Sequence, residues 1–324
     1  MKLDDASARL NEAKAMGKFY TPEPVARLTI ELAILTLPED LRRKPRRRLW
    51  GRRVYDPACG AGSMLCYATE YFKDSSFYGQ ELDPASAALA RQNLADRRVA
   101  FSIEEGDTLA APYPWDVRFD VIVANPPFSV KWEPIKDDHR FPILAPRKAG
   151  DWAFVQHALY WLADDGVAAS VMFPGALYRG NAERKIREDL VRKNLVSAVV
   201  QLPAGLFRET SIATSIVVFK RSKDVLFVDA TELEREKVVE LVRRRENVEF
   251  TARLATLDEL ERNDFNLSVS TYVEPRDTRE KIDLDQLERE IEEHRRRADE
   301  LRREIDVLLP DVKAAIAVIH GAPK

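Results

Sequence analysis

Asn125-Pro126-Pro127-Phe128 is the stretch with the clearest chemical logic in this sequence. It follows Phe119-Asp120-Val121-Ile122-Val123-Ala124, an apolar run with the length and β-branched content of a buried strand. A proline pushes the residue before it into an extended conformation, and here that applies to Asn125 and to Pro126. The loop is therefore stiff before a ligand arrives. Prolines carry no N–H, so the backbone offers carbonyl acceptors with little donor competition. An amide oxygen and a nearby carbonyl can accept both hydrogens of an exocyclic amine, which localises the nitrogen lone pair. Phe128 can stack on the ring that carries the amine. The chemistry this implies is group transfer to an amino group on a planar base, taken out of a duplex.

A second cluster precedes it. Val54-Tyr55-Asp56-Pro57-Ala58-Cys59-Gly60-Ala61-Gly62-Ser63 reads as a strand, a glycine turn and a helix start, a nucleotide-binding crossing. Its spacing is not that of the dinucleotide G-x-G-x-x-G. Asp56 at the strand end suits an ammonium group, as in the amino acid moiety of S-adenosylmethionine, better than a pyrophosphate. Glu81 ends the next strand, where a carboxylate can accept both ribose hydroxyls. Asp107 stands after a third strand, where it can accept from an adenine amino group; a plain turn explains it nearly as well. Thr21-Pro22 reads as an N-cap and first helical residue, ahead of the pattern Val25, Leu28, Ile30, Leu32, Leu35. The backbone N–H groups at such a start can hold a carboxylate.

The elements that must position these residues alternate. Strands are expected at 77–81, 100–103, 119–124, 167–173, 196–202 and 215–220, after the one ending at Asp56. Helices are expected at 64–73, 85–95, 151–163 (amphipathic) and 182–193. Alternation implies a mostly parallel sheet with helices on both faces. The short link 203–214 makes the last two strands an antiparallel edge pair. Residues 129–150 read as a mobile loop over the site. Residues 225–229 suit an extra strand, 232–263 charged helix, and 266–273 a short extended piece. Leu284, Leu287, Ile291, His294, Ala298, Leu301, Ile305 and Leu308 recur at steps of three and four. This is a heptad seam suited to a partner helix, with Pro310 as its stop.

Composition narrows the function classes. The chain has 324 residues, 45% hydrophobic and 32% charged, with a net charge of −3. Any contact with DNA must then come from local patches or a partner. Residues 42–53 form the most basic segment, which reads equally as a solvated loop and as a phosphate- or subunit-contacting one. Cys59 and Cys66 do not make a disulfide framework, and four histidines show no metal-ligand spacing. No signal peptide or membrane-spanning run is evident, so a soluble, cytoplasmic protein is expected.

Taken together, the blocks resemble the modification (M) subunit of type I restriction-modification systems, the adenine-N6 DNA methyltransferases. The resemblance rests on Gly17-Lys18-Phe19-Tyr20-Thr21-Pro22, the Asp56–Ser63 loop, Gly79-Gln80-Glu81-Leu82 and Asn125-Pro126-Pro127-Phe128. Residues 173–180 (FPGALYRG), 202–207 (LPAGLF) and 264–268 (DFNLS) resemble further family blocks. It implies an α/β fold: a seven-stranded, mostly parallel, Rossmann-like sheet of the S-adenosylmethionine-dependent methyltransferases, with an antiparallel edge and a C-terminal coiled-coil-type helix. The implied divisions are a tail at 1–17, a catalytic domain at 18–222, a small mixed extension at 223–275 and a docking helix at 276–324.

The resemblance also implies roles. Lys18, Phe19, Tyr20, Thr21 and Pro22, with Asp56, Ala58, Cys59, Gly60, Ala61, Gly62 and Ser63, would hold the methionine part of S-adenosylmethionine. Glu81 would bind the ribose and Asp107 the adenine. Asn125 and the Pro126 carbonyl would hold the target amine, with Pro127 stiffening the loop and Phe128 stacking; Asn125 also borders the cofactor. No metal is needed. The family's members work with a specificity (S) subunit that reads DNA, docked here through 284–308, and with a second M subunit or a restriction (R) subunit. Family members carry a sizeable helical domain ahead of the Phe-Tyr-Thr-Pro segment; 17 residues precede Lys18 here, so against the resemblance the sequence reads as a fragment, one half of a split gene or a naturally short form. Ser211-Ile212-Ala213-Thr214 stands where the family has Gly-Ile-Pro-Thr. The rival readings are cytosine-N4 methylation, protein-glutamine methylation and a non-catalytic assembly subunit.

Overall fold

Runs such as Val-Leu-Phe-Val and Ser-Ile-Val-Val-Phe form strands because branched and aromatic side chains pack well on both faces of a covered sheet. The computed structural model describes residues 21–37, 51–207, 212–275 and 284–319. Nine strands lie in one sheet: β1 (Arg53–Asp56), β2 (Ser76–Glu81), β3 (Ala100–Glu105), β4 (Phe119–Ala124), β5 (Leu162–Met172), β6 (Val196–Gln201), β7 (Ser215–Phe219), β8 (Val225–Asp229) and β9 (Ala252–Ala255). Their order is β3-β2-β1-β4-β5-β7-β6-β8-β9. The first five run parallel. β7 is antiparallel to both β5 and β6, as the short link between β6 and β7 requires.

Two details differ from the sequence reading. The sheet has nine strands rather than seven, because two strands from 223–275, β8 and β9, extend it. β8 pairs parallel with β6, and β9 closes the sheet as an antiparallel edge. The β6–β7 pair is therefore internal. β9 escaped notice because Ala-Arg-Leu-Ala lies within a charged stretch whose composition favours helix.

The helices are α1 (Glu23–Thr36), α2 (Ser63–Tyr71), α3 (Pro84–Asp96), α4 (Asp151–Trp161), α5 (Pro174–Tyr178), α6 (Asn181–Arg192), α7 (Arg235–Arg244), α8 (Leu257–Arg262) and α9 (Leu284–Ile319). One apolar layer joins α1, α2, α3 and α7 to the sheet. The other joins α4, α5, α6, α8 and residues 265–273 to the opposite face. Residues 266–273 hold a 3-10 turn at Val269–Thr271 rather than an extended piece. α4 is buried from Asp151 through Ala158 rather than amphipathic, because the 129–150 loop covers the side that faces away from the sheet: Ile143 N–H donates to Gln156 and Arg140 reaches His157.

The chain divides into two compact units, Met1–Pro275 and Arg276–Lys324. The described part of the second is α9, a helix of 36 residues that carries Pro310 inside it instead of ending there. Among the described residues, no helix is long and apolar enough to cross a membrane.

Candidate active site

The sheet order reverses direction between β1 and β4, and in sheets of this kind ligands bind at the carboxyl ends beside that reversal. Asp56 ends β1 and Asn125 follows β4, so the two chemical clusters meet there. A cavity of about 460 Å³ opens at this point. Its walls include Thr21, Asp56, Ala58, Cys59, Gly60, Ala61, Ser63, Glu81, Asp107, Asn125 and Pro127. Eleven of the positions singled out in the sequence thus share one cavity. Gly62 does not face it: with φ at 78° it starts α2, where an added Cβ would sit 3.1 Å from the Ala90 Cβ of α3. Its role is to let the two helices approach. Pro126 is buried behind the loop. Lys18, Phe19 and Tyr20, Ser211 and most of the basic segment 42–53 lie outside the described residues.

The carboxylates are held in distinct ways. Asp56 is 2% exposed, and its Oδ1 accepts the Ala58 N–H at 3.0 Å. Burial pushes its carboxyl up to about 7, with the charge of Glu81 adding to the effect and the Ala58 amide opposing it. Glu81 accepts the Gly60 N–H at 2.8 Å and the Asp83 N–H at 2.9 Å. It thereby joins the glycine turn to the start of α3. Asp107 accepts the N–H groups of Leu109 and Ala110 through Oδ1; both the turn role and a place on the cavity wall are realised. Burial holds the Cys59 thiol well above its usual range, so it packs as an unreactive neutral group.

Thr21 does not cap α1. The helix begins at Glu23 with Pro22 as its N-cap and no side-chain cap. The Thr21 hydroxyl instead accepts from Nδ2 of Asn125 at 3.0 Å. That bond turns the amide so that Oδ1 is buried and lacks a hydrogen-bond partner. An unpaired buried acceptor is unfavourable by about 1–3 kcal/mol, and such groups in a cavity wall mark a place for a donor. Next to it, the Phe128 ring lies 6.1 Å from that of Phe173 and 6.3 Å from that of Phe207. Phe173 and Phe207 belong to blocks noted in the sequence, yet their convergence on Phe128 depends on the turns after β5 and β6 and could not be read from spacing.

The loop at 129–150 is fastened rather than free. Gly150 N–H donates to the Val130 carbonyl at 2.9 Å, and Trp132 N–H to that of Arg147 at 3.0 Å. Arg140, 5% exposed, donates to the Thr108 carbonyl at 2.7 Å, the Leu109 carbonyl at 2.8 Å and Nδ1 of His157 at 2.8 Å. Burial and the Arg140 charge push the imidazole of His157 down to about 3, so it stays neutral and can accept. Trp132, from this loop, and Phe154, from α4, complete the cavity wall. No sequence signal marked either of them.

A family model described as N-6 DNA Methylase matches residues 8–281. The chain belongs to the N-6 DNA methylase family. Within that family it is 33% identical to the type I restriction enzyme MpnII methylase subunit of Mycoplasma pneumoniae, covering 94% of this chain and 61% of the relative. It is 30% identical to the MjaVII methylase subunit of Methanocaldococcus jannaschii, covering 89% and 55% respectively. Among solved structures, it is similar to the type I restriction-modification methyltransferase subunit of Streptococcus thermophilus, with a TM-score of 0.72, 34% identity and coverage of 79% of this chain and 59% of that one. The chain thus spans somewhat over half the length of these relatives. The segment 264–268 also finds its purpose. Arg187, buried in α6, donates to the carbonyls of Phe265 and Ala176, and Leu267 N–H donates to that of Leu177 at 2.9 Å. The 264–268 block therefore clamps the 173–180 segment that carries Phe173.

Proposed function

We propose that this chain transfers a methyl group from S-adenosylmethionine to the N6 amine of adenine in DNA, as the modification subunit of a type I restriction-modification complex whose sequence reading is done by a separate specificity subunit. The observation that carries this reading is the buried, unpartnered Oδ1 of Asn125, held by Thr21 at the edge of a cavity lined by Asp56, Glu81 and Asp107.

The cavity fits the cofactor by chemistry and size. Asp56 faces the space suited to an ammonium, Glu81 that suited to ribose hydroxyls, and Asp107 that suited to an adenine edge, within a volume typical of cofactor sites. When bound, S-adenosylmethionine supplies an electrophilic methyl group on a positively charged sulfur. The protein supplies orientation. Asn125 Oδ1 and the Pro126 carbonyl accept the two amine hydrogens and turn the nitrogen lone pair toward the cavity. Phe128 stacks on the base, and Phe173 and Phe207 narrow the space beside it. An asparagine at this position favours adenine over cytosine N4, whose loops more often begin with serine.

The C-terminal helix supports the assembly part of the reading. Leu287, Ile291, Leu301, Ile305 and Leu308 are between 42% and 59% exposed along α9. A seam this narrow is stable when a partner helix covers it, and we assign that partner as the specificity subunit. The test is transfer from labelled S-adenosylmethionine to unmethylated DNA, with and without that subunit, followed by analysis of the modified base. N6-methyladenine formed with the partner is expected. Cofactor binding without transfer in either arm overturns the catalytic reading.

A further inference from the structure

The turn after Phe128 is strained. Ser129 has φ of 50°, in the left-handed region that costs a residue with a Cβ about 1–2 kcal/mol. Its N–H donates to Oδ1 of Asp151 at 3.1 Å. Asp151, the first residue of α4, is 4% exposed, and its Oδ2 is buried without a partner. The next rung of the same neck is the bond from Gly150 N–H to the Val130 carbonyl. A Cβ at Gly150 would lie 3.0 Å from Val130 Cγ1 and 3.2 Å from its carbonyl, so the two stems are in contact. The neck begins at the residue that follows Phe128.

A carboxylate in such a place is unfavourable unless something requires it. Burial holds the Asp151 carboxyl above its ordinary range. Glu183, also buried and pushed up to about 7 by that burial, adds a second acidic group to this region, opposed by the partly exposed Arg179, 3.8 Å from Glu183 Oε1, and by the buried Arg187. What the Asp151 carboxylate holds is the residue after the stacking ring.

We infer that Asp151 is a positioning residue for methyl transfer: its Oδ1 locks Ser129 in the left-handed turn and so sets the direction from which Phe128 meets the target base. Asp151 touches neither cofactor nor base in this role, which rests on the methyltransferase reading above.

The experiment compares Asp151→Ala and Asp151→Asn in the full chain with its specificity subunit. Three quantities are read: hydrogen exchange at the Ser129 amide, cofactor Kd and kcat. Asp151→Ala is expected to expose the amide to exchange and lower kcat about 10- to 100-fold, with Kd within about 2-fold. Asp151→Asn keeps an oxygen acceptor in place and is expected to restore protection and bring kcat within about 3-fold of the wild type. Asp151→Ser, polar but too short to reach Ser129, replaces the alanine variant should that fail to fold, with the same expectations. An asparagine variant that is protected yet as slow as alanine overturns the inference in favour of a charge or proton role. An alanine or serine variant with unchanged kcat overturns it as well. A wild-type complex that makes no N6-methyladenine counts against the methyltransferase reading instead, and the exchange result still judges Asp151 alone: an unchanged Ser129 amide in Asp151→Ala refutes the lock.

Discussion

The Asn125 side chain donates from Nδ2 to the Thr21 hydroxyl at 3.0 Å, across 104 positions of sequence. This bond fixes the orientation of the amide and leaves Oδ1 as an acceptor without a partner. Asn125→Ala removes the acceptor and is expected to abolish transfer while leaving cofactor Kd nearly unchanged. Thr21→Val keeps the shape but frees the amide to rotate. Loss of one such bond is worth about 1–1.5 kcal/mol, so about a 10-fold fall in kcat is expected. Single-turnover kinetics with labelled cofactor separates the two effects; normal turnover in Asn125→Ala would remove the mechanism.

Asp56 predicts a pH dependence. Its folded carboxyl titrates near 7 because of burial, above the ordinary carboxylate value. Protonation therefore favours the folded, ligand-free state: the contribution is complete below about pH 4 and is lost as pH rises through about 7. A cofactor ammonium beside Asp56 requires the ionised form. Cofactor affinity is thus expected to rise with pH, by up to about tenfold per unit below pH 7, and to level off above it. Calorimetry from pH 5.5 to 8 checks this, and Asp56→Asn is expected to flatten the profile. A flat profile in the wild type contradicts the assignment.

Arg140 ties the 129–150 loop to Thr108 and Leu109, two residues of the cavity wall. Arg140→Met leaves the Thr108 and Leu109 carbonyls without this donor and strands Asp138. Breaking a buried ionic group of this kind is expected to destabilise the fold by about 3–5 kcal/mol. Urea unfolding measures that loss. Weaker cofactor binding is expected alongside it, since Thr108 and Leu109 line the cavity.

Truncation separates the two units. A chain ending at Pro275 keeps the whole sheet and is expected to bind cofactor while losing the specificity subunit. A chain ending at residue 222 lacks β8 and β9, strips the parallel partner from β6 and removes the clamp at Phe265 and Leu267. It is expected to be insoluble. Co-purification and cofactor titration distinguish these; retained specificity-subunit binding after the first cut contradicts the docking role of α9.

The parts of the fold legible in the sequence were those with local causes. The runs at 119–124 and 215–219 are dominated by branched and aromatic residues, with Asp120 and Ser215 as their polar members, and the glycine turn at 60–62 needs backbone freedom that a side chain would restrict. Asn125 was legible because two prolines fix its surroundings. What sequence could not reveal depends on distant packing. β9 is strand because β8 offers an open edge, not because of its composition. The 129–150 stretch looked free because its prolines and charges say nothing of Arg140 finding two carbonyls and a neutral histidine. Pro310 lies inside α9 although a proline there removes one backbone hydrogen bond and crowds the carbonyl four residues back, at about 3 kcal/mol; the residues on either side of it keep the helix going, which the local rule for a stop does not weigh.

The place where β4 lies between β1 and β5 also bears on how such a protein can diversify. The strands that carry Asp56 and Glu81 lie on one flank of β4, and those that lead into Phe173 and Phe207 lie on the other. Asn125, at the end of β4, is the joint between them. Substitutions on the second flank can reshape the space beside Phe128 without passing through Asp56 or Glu81. On the proposed methyltransferase reading, the half that meets the acceptor can therefore drift toward a new planar substrate while the half that meets the donor is inherited intact.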